Sequence, residues 1–190
     1  MPQPMLEEEV RYTYADYLTW DDDKRWELIG GIPYLMLAPT TAHQGVSGEL
    51  FRQIANFLVG KQCKVFSAPL DVRLFPRDGD LDDTVVQPDI VVICDREKIT
   101  RRCCEGAPDM AIEILSPSSV QHDTLRKFRL YQNAGIREYW IVNTESKTLM
   151  THLLKDGYYV TSAYGEGDSA PVHVLDGLSI NLADVFAEAE

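Results

Sequence analysis

Apolar positions along this chain recur in two rhythms, one of three and four residues and one of two, and the changes between them outline the elements. Tyr14 to Leu18 reads as a short helix with Thr13 as its N-cap and Asp16 at the capping-box position. Residues 25–36 read as a hairpin: the arms Trp26-Glu27-Leu28-Ile29 and Ile32-Pro33-Tyr34-Leu35-Met36 flank Gly30-Gly31, which tolerates the positive φ angles of a tight turn. Pro33 has no N–H to give to a ladder, so its arm belongs at a sheet edge. After Pro39-Thr40-Thr41, Val46, Leu50, Ile54, Phe57 and Leu58 recur at helical spacing to about Val59, and Gly60 stops the helix.

Between Lys64 and Ser116 the rhythm changes to strands, over residues 65–67, 70–75, 85–94 and 110–115, separated by Pro, Gly and acidic turns. These strands predict a central sheet. The intervening loop 77–83 carries four aspartates but lacks the glutamate that ends a twelve-residue calcium loop, so it reads as a solvated hairpin tip. Ser118 or Ser119 can cap a helix that runs to Ala134, with Gly135 as its terminator, and a strand follows at 138–143. That strand–helix–strand succession suits a right-handed crossover. A second hairpin, 148–154 with 158–163, turns at Lys155-Asp156-Gly157, and Leu182, Val185 and Phe186 place a docking helix in 178–187. The expected fold is α/β: one domain over residues 1–190, with a mixed central β-sheet flanked by helices and β-hairpin additions toward both ends.

Composition supports a packed core, since 45% of the 190 residues are hydrophobic and 25% charged. The net charge of −12 argues against a protein that coats nucleic acid through bulk electrostatics, although a metal ion in a cleft supplies positive charge locally. Local basic material exists: Arg96, Lys98, Arg101 and Arg102 precede the 110–115 strand, and Arg126, Lys127 and Arg129 follow it. The same residues also read as a solvated surface. Cys63, Cys94, Cys103 and Cys104 form no C-x-x-C, so neither a zinc cage nor a disulfide framework is indicated, and reduced thiols are expected. The opening residues lack the pattern of a signal peptide, and no apolar run approaches membrane-spanning length. A cytoplasmic protein without a membrane partner is expected.

Two acids sit where core strands favour none: Asp89 in Gln87-Pro88-Asp89-Ile90-Val91-Val92-Ile93, and Glu113 in Met110-Ala111-Ile112-Glu113-Ile114-Leu115. An ionised carboxylate among valines and isoleucines is costly unless it is paired, hydrogen-bonded or bound to a cation, so the two suggest a shared metal ion. Mg2+, with Mn2+ as a possible substitute, takes a few carboxylate oxygens, keeps several waters, and can be completed by the Ile114 carbonyl and a substrate phosphate. Lys127, on the helix after the Glu113 strand, can orient an attacking water and hold a phosphate; its other reading is an exposed ion pair with Asp123. Glu27 is a further acid in an apolar arm and either joins the site or faces water. His43, just inside the long helix, contacts phosphate, supports Glu27, or is a surface residue. Asp71 reads as half-exposed, paired with Arg73 across a sheet edge, and ranks below the other acids. Cys103 and Cys104 read as inert loop or core residues, and Ser116 to Ser119 as turn and cap residues.

These residues carry a resemblance. Pro88-Asp89, Glu113 within Ala107-Pro108-Asp109-Met110-Ala111-Ile112-Glu113-Ile114-Leu115-Ser116-Pro117-Ser118-Ser119, Asp123, Lys127, and the run from Leu130 to Val142, with Trp26-Glu27-Leu28-Ile29-Gly30-Gly31 and His43 upstream, are similar to the Uma-two family. That family is classed with the PD-(D/E)xK restriction-endonuclease-like nucleases. The resemblance implies a nuclease fold with Asp89 and Glu113 as metal ligands and Lys127 as the catalytic lysine. Leu115 stands where the broad superfamily motif has lysine, and the family pattern moves the lysine to the next helix. The leading expectation is a magnesium-dependent endonuclease that hydrolyses DNA by metal-activated water attack. Its rivals are a noncatalytic nucleic-acid or protein-binding domain that keeps the fold, and a small-molecule phosphodiesterase using the same ion. Edge strands and the second hairpin offer surfaces for a homodimer.

Overall fold

A computed structural model describes residues 10–115 and 122–189 of the chain. Thr13 caps α1 (Tyr14–Tyr17) through the expected capping box with Asp16. Gly30 and Gly31, at φ 58° and 81°, turn β1 (Arg25–Ile29) onto β2 (Ile32–Met36). Helix α2 (Thr41–Phe57) buries Val46, Leu50 and Ile54, three of the positions that predict it. The later helices are α3 (His122–Ala134) and α4 (Leu182–Ala187). The Ser118 and Ser119 caps, and the side chain of Asp123, lie outside the described residues.

The remaining strands are β3 (Lys64–Ser67), β4 (Asp71–Arg73), β5 (Val85–Val86), β6 (Ile90–Ile93), β7 (Cys103–Glu105), β8 (Met110–Leu115), β9 (Glu138–Asn143), β10 (Thr148–Lys155), β11 (Tyr158–Gly165), β12 (Ser169–Pro171) and β13 (Ser179–Asn181). They form a six-stranded sheet in the order β11-β10-β9-β8-β6-β3, a five-stranded sheet in the order β2-β1-β5-β4-β7, and the small pair β12-β13. Both large sheets are mixed: β8 lies parallel to β9 and β4 parallel to β7, while the neighbouring ladders are antiparallel. Pro33 falls on β2, at an edge, as its missing N–H requires.

Alternation on β6 and β8 sorts the core into two layers. Ile90, Val92, Met110, Ile112 and Ile114 pack with α2 and α4, whereas Val91, Ile93 and Ala111 pack with Tyr131 of α3 and with Val72 and Val86 of the five-stranded sheet. The six-stranded sheet is therefore covered on both faces. Among the described residues no helix is long and apolar enough to cross a membrane.

Several expectations change. The 85–94 run is two strands in two different sheets, because Pro88 cannot donate to a ladder and the chain crosses between sheets at Gln87-Pro88-Asp89. Cys103 and Cys104, read as loop or core, are core residues of β7, whereas residues 179–181 pair as β13 before the last helix begins. The acidic loop is not wholly solvated: Asp82 is 1% exposed and holds the Arg73 guanidinium, which also meets Asp80 at 2.9 Å. Asp71 consequently does not pair with Arg73 and accepts from Tyr17 and Gln87 instead. Cys63 and Cys94 form a disulfide that ties the segment before β3 to the end of β6, where reduced thiols were expected, while Cys103 and Cys104 remain free.

Candidate functional site

The antiparallel register pairs Ile90 with Ile112 and Val91 with Ala111, and its next step sets Asp89 opposite Glu113. Residues opposite each other on antiparallel strands share a face, so both carboxylates fall on the α3 side of the sheet. Because β6 begins only at Ile90, the Ile114 N–H has a carboxylate partner in place of a strand: it donates to Asp89 Oδ2 at 2.7 Å. His43 Nε2 lies 3.3 Å from the same oxygen. Among the described residues Asp89 Oδ1 and Glu113 Oε2 have no donor, and both residues line a cavity of about 370 Å³.

Lys127 enters from α3. Its ammonium donates to Glu113 Oε1 at 3.0 Å and to Glu27 Oε1 at 2.8 Å, and all three residues line the cavity. Glu27 is 3% exposed, so it does not face water and instead lines the cavity. The backbone N–H of Gln87 donates to the same Glu27 oxygen at 2.8 Å, fastening the five-stranded sheet to the segment that leads into Asp89. Likewise Lys127, 6% exposed, is no solvent-facing lysine. His43 occupies the first turn of α2, where its N–H meets the Thr40 cap, and its ring supports Asp89 rather than Glu27. The six sequence candidates, Glu27, His43, Asp89, Glu113, Ile114 and Lys127, thus line one cavity.

Burial drives the electrostatics. Glu113 is pushed up to about 7, first by loss of water and then by the charges of Asp89 and Glu27, against the opposing pull of Lys127 and the Tyr131 hydroxyl. Burial alone would discharge Lys127, but Glu113 and Glu27 outweigh it and hold the ammonium charged above its ordinary value. In His43 burial opposes the charged ring, yet the hydrogen bond and charge of Asp89, with Glu113 and the Ile114 backbone, raise its pKa overall.

Two participants escape the sequence pattern. Tyr131, fully buried, donates its hydroxyl to Glu113 Oε1 at 2.6 Å; it stands four residues after Lys127, so helical spacing places it on the same face and is the signal that finds it. Gln87 carries no comparable signal, because its role rests on a backbone N–H and on hydrogen bonds to residues sixteen to seventy positions away.

The donors available to a cation are hard oxygens, two carboxylates with the Ile114 carbonyl beside them, and that set suits Mg2+ or Mn2+, which keep waters of their own. Among the described residues no group of three or more His, Cys, Asp or Glu closes around one point, consistent with Glu27 being engaged by Lys127 and Gln87.

Comparison with known proteins places this geometry in context. The chain is 27% identical over 175 residues to an uncharacterized protein of Synechocystis sp., a match covering 90% of this chain and 89% of the relative. Its fold matches a crystal structure from Anabaena variabilis, described as a "putative nuclease belonging to DUF820", with a TM-score of 0.77 at 20% identity over 94% of this chain and 99% of that one. The architecture is that of a restriction-endonuclease-like α/β fold. Residues 14–183 match the Uma2 family, described as "Putative restriction endonuclease", and since the match spans most of the sequence, the chain belongs to that family.

Proposed function

We propose that this chain is a divalent-cation-dependent endonuclease that hydrolyses phosphodiester bonds in DNA, with Asp89 and Glu113 as the carboxylates that hold Mg2+ or Mn2+. The observation that carries the reading is the convergence of Asp89, Glu113 and Lys127 on one cavity, with one oxygen of each carboxylate left without a donor among the described residues. When bound, the cation lowers the pKa of a water and neutralises charge developing on the phosphate.

The chain's own residues divide the remaining work. His43 and the Ile114 N–H hold Asp89 Oδ2 and so fix which oxygen faces the cavity. Tyr131 and Lys127 do the same at Glu113 Oε1. Lys127 has three N–H donors, of which two are spent on carboxylates, and the third serves the attacking water or a phosphate oxygen. Glu27 keeps that ammonium charged and in place from the opposite side. With Leu115 at the usual lysine position of the motif, Lys127 supplies the charge from α3, and both residues line the cavity.

Incubation of supercoiled plasmid with Mg2+ or Mn2+ tests the reading. Nicked or linear product is expected from the native chain and not from Asp89→Asn or Glu113→Gln. Undiminished cleavage by either variant overturns the site, and failure of the native chain to cleave favours the noncatalytic binding domain. A homodimer, for which the exposed Tyr158 and Val160 on the edge strand β11 offer a surface, is checked by light scattering, where a monomer at working concentration refutes it.

A further inference from the structure

Every arginine among the described residues is either exposed or partnered by carboxylates, with two exceptions: Arg25, which lines the cavity, and Arg126, which stacks on the cavity-lining Tyr34. Arg25 is half-buried, lines the cavity, and has no carboxylate within ion-pair reach among the described residues. Its Nε and Nη2 both donate to Gln87 Oε1, at 3.1 and 3.0 Å. Gln87 is itself locked, since its Nε2 donates to Asp71 Oδ1 at 2.8 Å and to the Tyr17 hydroxyl at 3.2 Å. The guanidinium is therefore aimed by a neutral amide, with no carboxylate paired to it among the described residues. Arg126 is the second case: half-buried, without a carboxylate among the described residues, its guanidinium stacks 4.4 Å from the centre of the Tyr34 ring. Tyr34 pairs across β1 and β2 with Glu27, so it shares with Arg25 and Glu27 the face that looks into the cavity.

Partial burial of a guanidinium without a counter-charge is costly, and the cost is recovered when an anion arrives. Arginine's planar fork matches phosphate oxygens, and stacking on an aromatic ring presents that fork edge-on. The cation of Lys127, by contrast, is already neutralised by Glu27 and Glu113. We propose that Arg25 and the Arg126–Tyr34 pair bind phosphates of the substrate strand other than the one being cleaved. The ligand class is a polynucleotide, because a small diester with a single phosphate leaves these two guanidinium groups without a partner. The inference rests on the nuclease reading for the location of the cleaved phosphate, and it explains how a chain of net charge −12 grips a polyanion: through two placed cations at the site rather than through bulk charge.

The test uses the full chain carrying Asp89→Asn, which blocks turnover, with a fluorescent DNA duplex in Mg2+ and anisotropy over a salt series. Arg25→Gln and Arg126→Gln, each added to that parent, are expected to weaken binding about tenfold and to lower the slope of log affinity against log salt by about 0.9 for each phosphate no longer neutralised. Arg25→Lys, which keeps the charge but not the fork, is expected to retain the slope and lose part of the affinity. Should Arg25→Gln fail to fold by thermal melt, Arg126→Gln carries the same readout. Unchanged affinity and slope in the arginine variants overturn the proposal, as does absence of duplex binding by the parent. Hydrolysis of bis(p-nitrophenyl) phosphate by the native chain reports on the nuclease reading separately. Hydrolysis with unchanged duplex binding sinks the phosphate grip alone, whereas loss of slope without hydrolysis supports the grip and sinks the nuclease reading alone.

Discussion

Lys127 Nζ lies 2.8 Å from Glu27 Oε1, although one hundred positions of sequence separate them and they belong to different layers. The pair is buried on both sides, and Glu113 completes it at 3.0 Å. Removing one partner strands the other charges, so Lys127→Met is expected to destabilise the fold by about 3–5 kcal/mol, measured as a fall in the urea midpoint. Adding Glu27→Gln to Lys127→Met is expected to restore part of that loss, and a double-mutant cycle measures the coupling.

Cation binding is expected to depend on pH around the Glu113 titration. A cation requires the ionised carboxylate, and Glu113 is pushed up to about 7, so affinity falls as pH drops below that value and levels off above it. The expected slope is about tenfold per pH unit on the acid side, read by calorimetry with Mn2+ between mildly acidic and mildly basic buffers. The Tyr131 hydroxyl stabilises the ionised form. Tyr131→Phe is therefore expected to move the midpoint upward, and a midpoint that stays put refutes the positioning role.

His152 gives a separate acid response. It is 4% exposed, donates or accepts at Nδ1 with Thr161 at 2.8 Å, and has a buried Nε2 without a partner among the described residues. Burial lowers its pKa to about 4 from 6.5, so the unfolded chain takes up the proton first as pH falls. The contribution of neutral His152 to stability is thus complete above about 6.5 and is lost as pH drops toward 4, a difference of about 3 kcal/mol. Denaturant unfolding at several pH values, compared with His152→Gln, is expected to show a shallower acid loss in the variant.

Two glycines of the same helix are expected to respond with opposite sign. A Cβ on Gly45 meets the backbone oxygen of Glu188 at 2.7 Å, where α2 passes the end of α4, whereas a Cβ on Gly48 meets nothing within 4 Å. Gly48→Ala is expected to raise stability by up to ~1 kcal/mol through helix propensity. Gly45→Ala forfeits that gain by pushing the two helices apart, at a cost of roughly 1–3 kcal/mol. Thermal melts of the two variants against the native chain check the signs.

Much of this was legible in the chain because it rests on local pattern. The Asp16 capping box, the Gly30-Gly31 turn, the α2 periodicity, and the β8 and β9 runs follow from residues that are neighbours in sequence. Asp89 and Glu113 stood out as charges in apolar strands, and the structure sets them opposite each other. What depended on long-range pairing was not legible. Residues 85–94 look like one strand by composition; Pro88 marks the break, but that its halves join different sheets, β4 and β1 for one and β3 and β8 for the other, is set by partners distant in sequence. Asp82 looks like its solvated neighbours until Arg73 is placed over it, and Cys63 and Cys94 show no spacing that announces a bond across thirty-one positions.

The crossing at Gln87-Pro88-Asp89 has a consequence for how this molecule can vary. Gln87 fastens Glu27 and Arg25 on one sheet, and Asp89, two residues on, fastens Ile114 on the other, so three consecutive residues set the distance between the two walls of the cleft. An insertion or deletion in most loops leaves that spacing alone, whereas a one-residue change here shifts one wall against the other and flips which side chains face inward. The segment is the gauge of the cleft, and selection for a wider or narrower substrate is expected to act on it first.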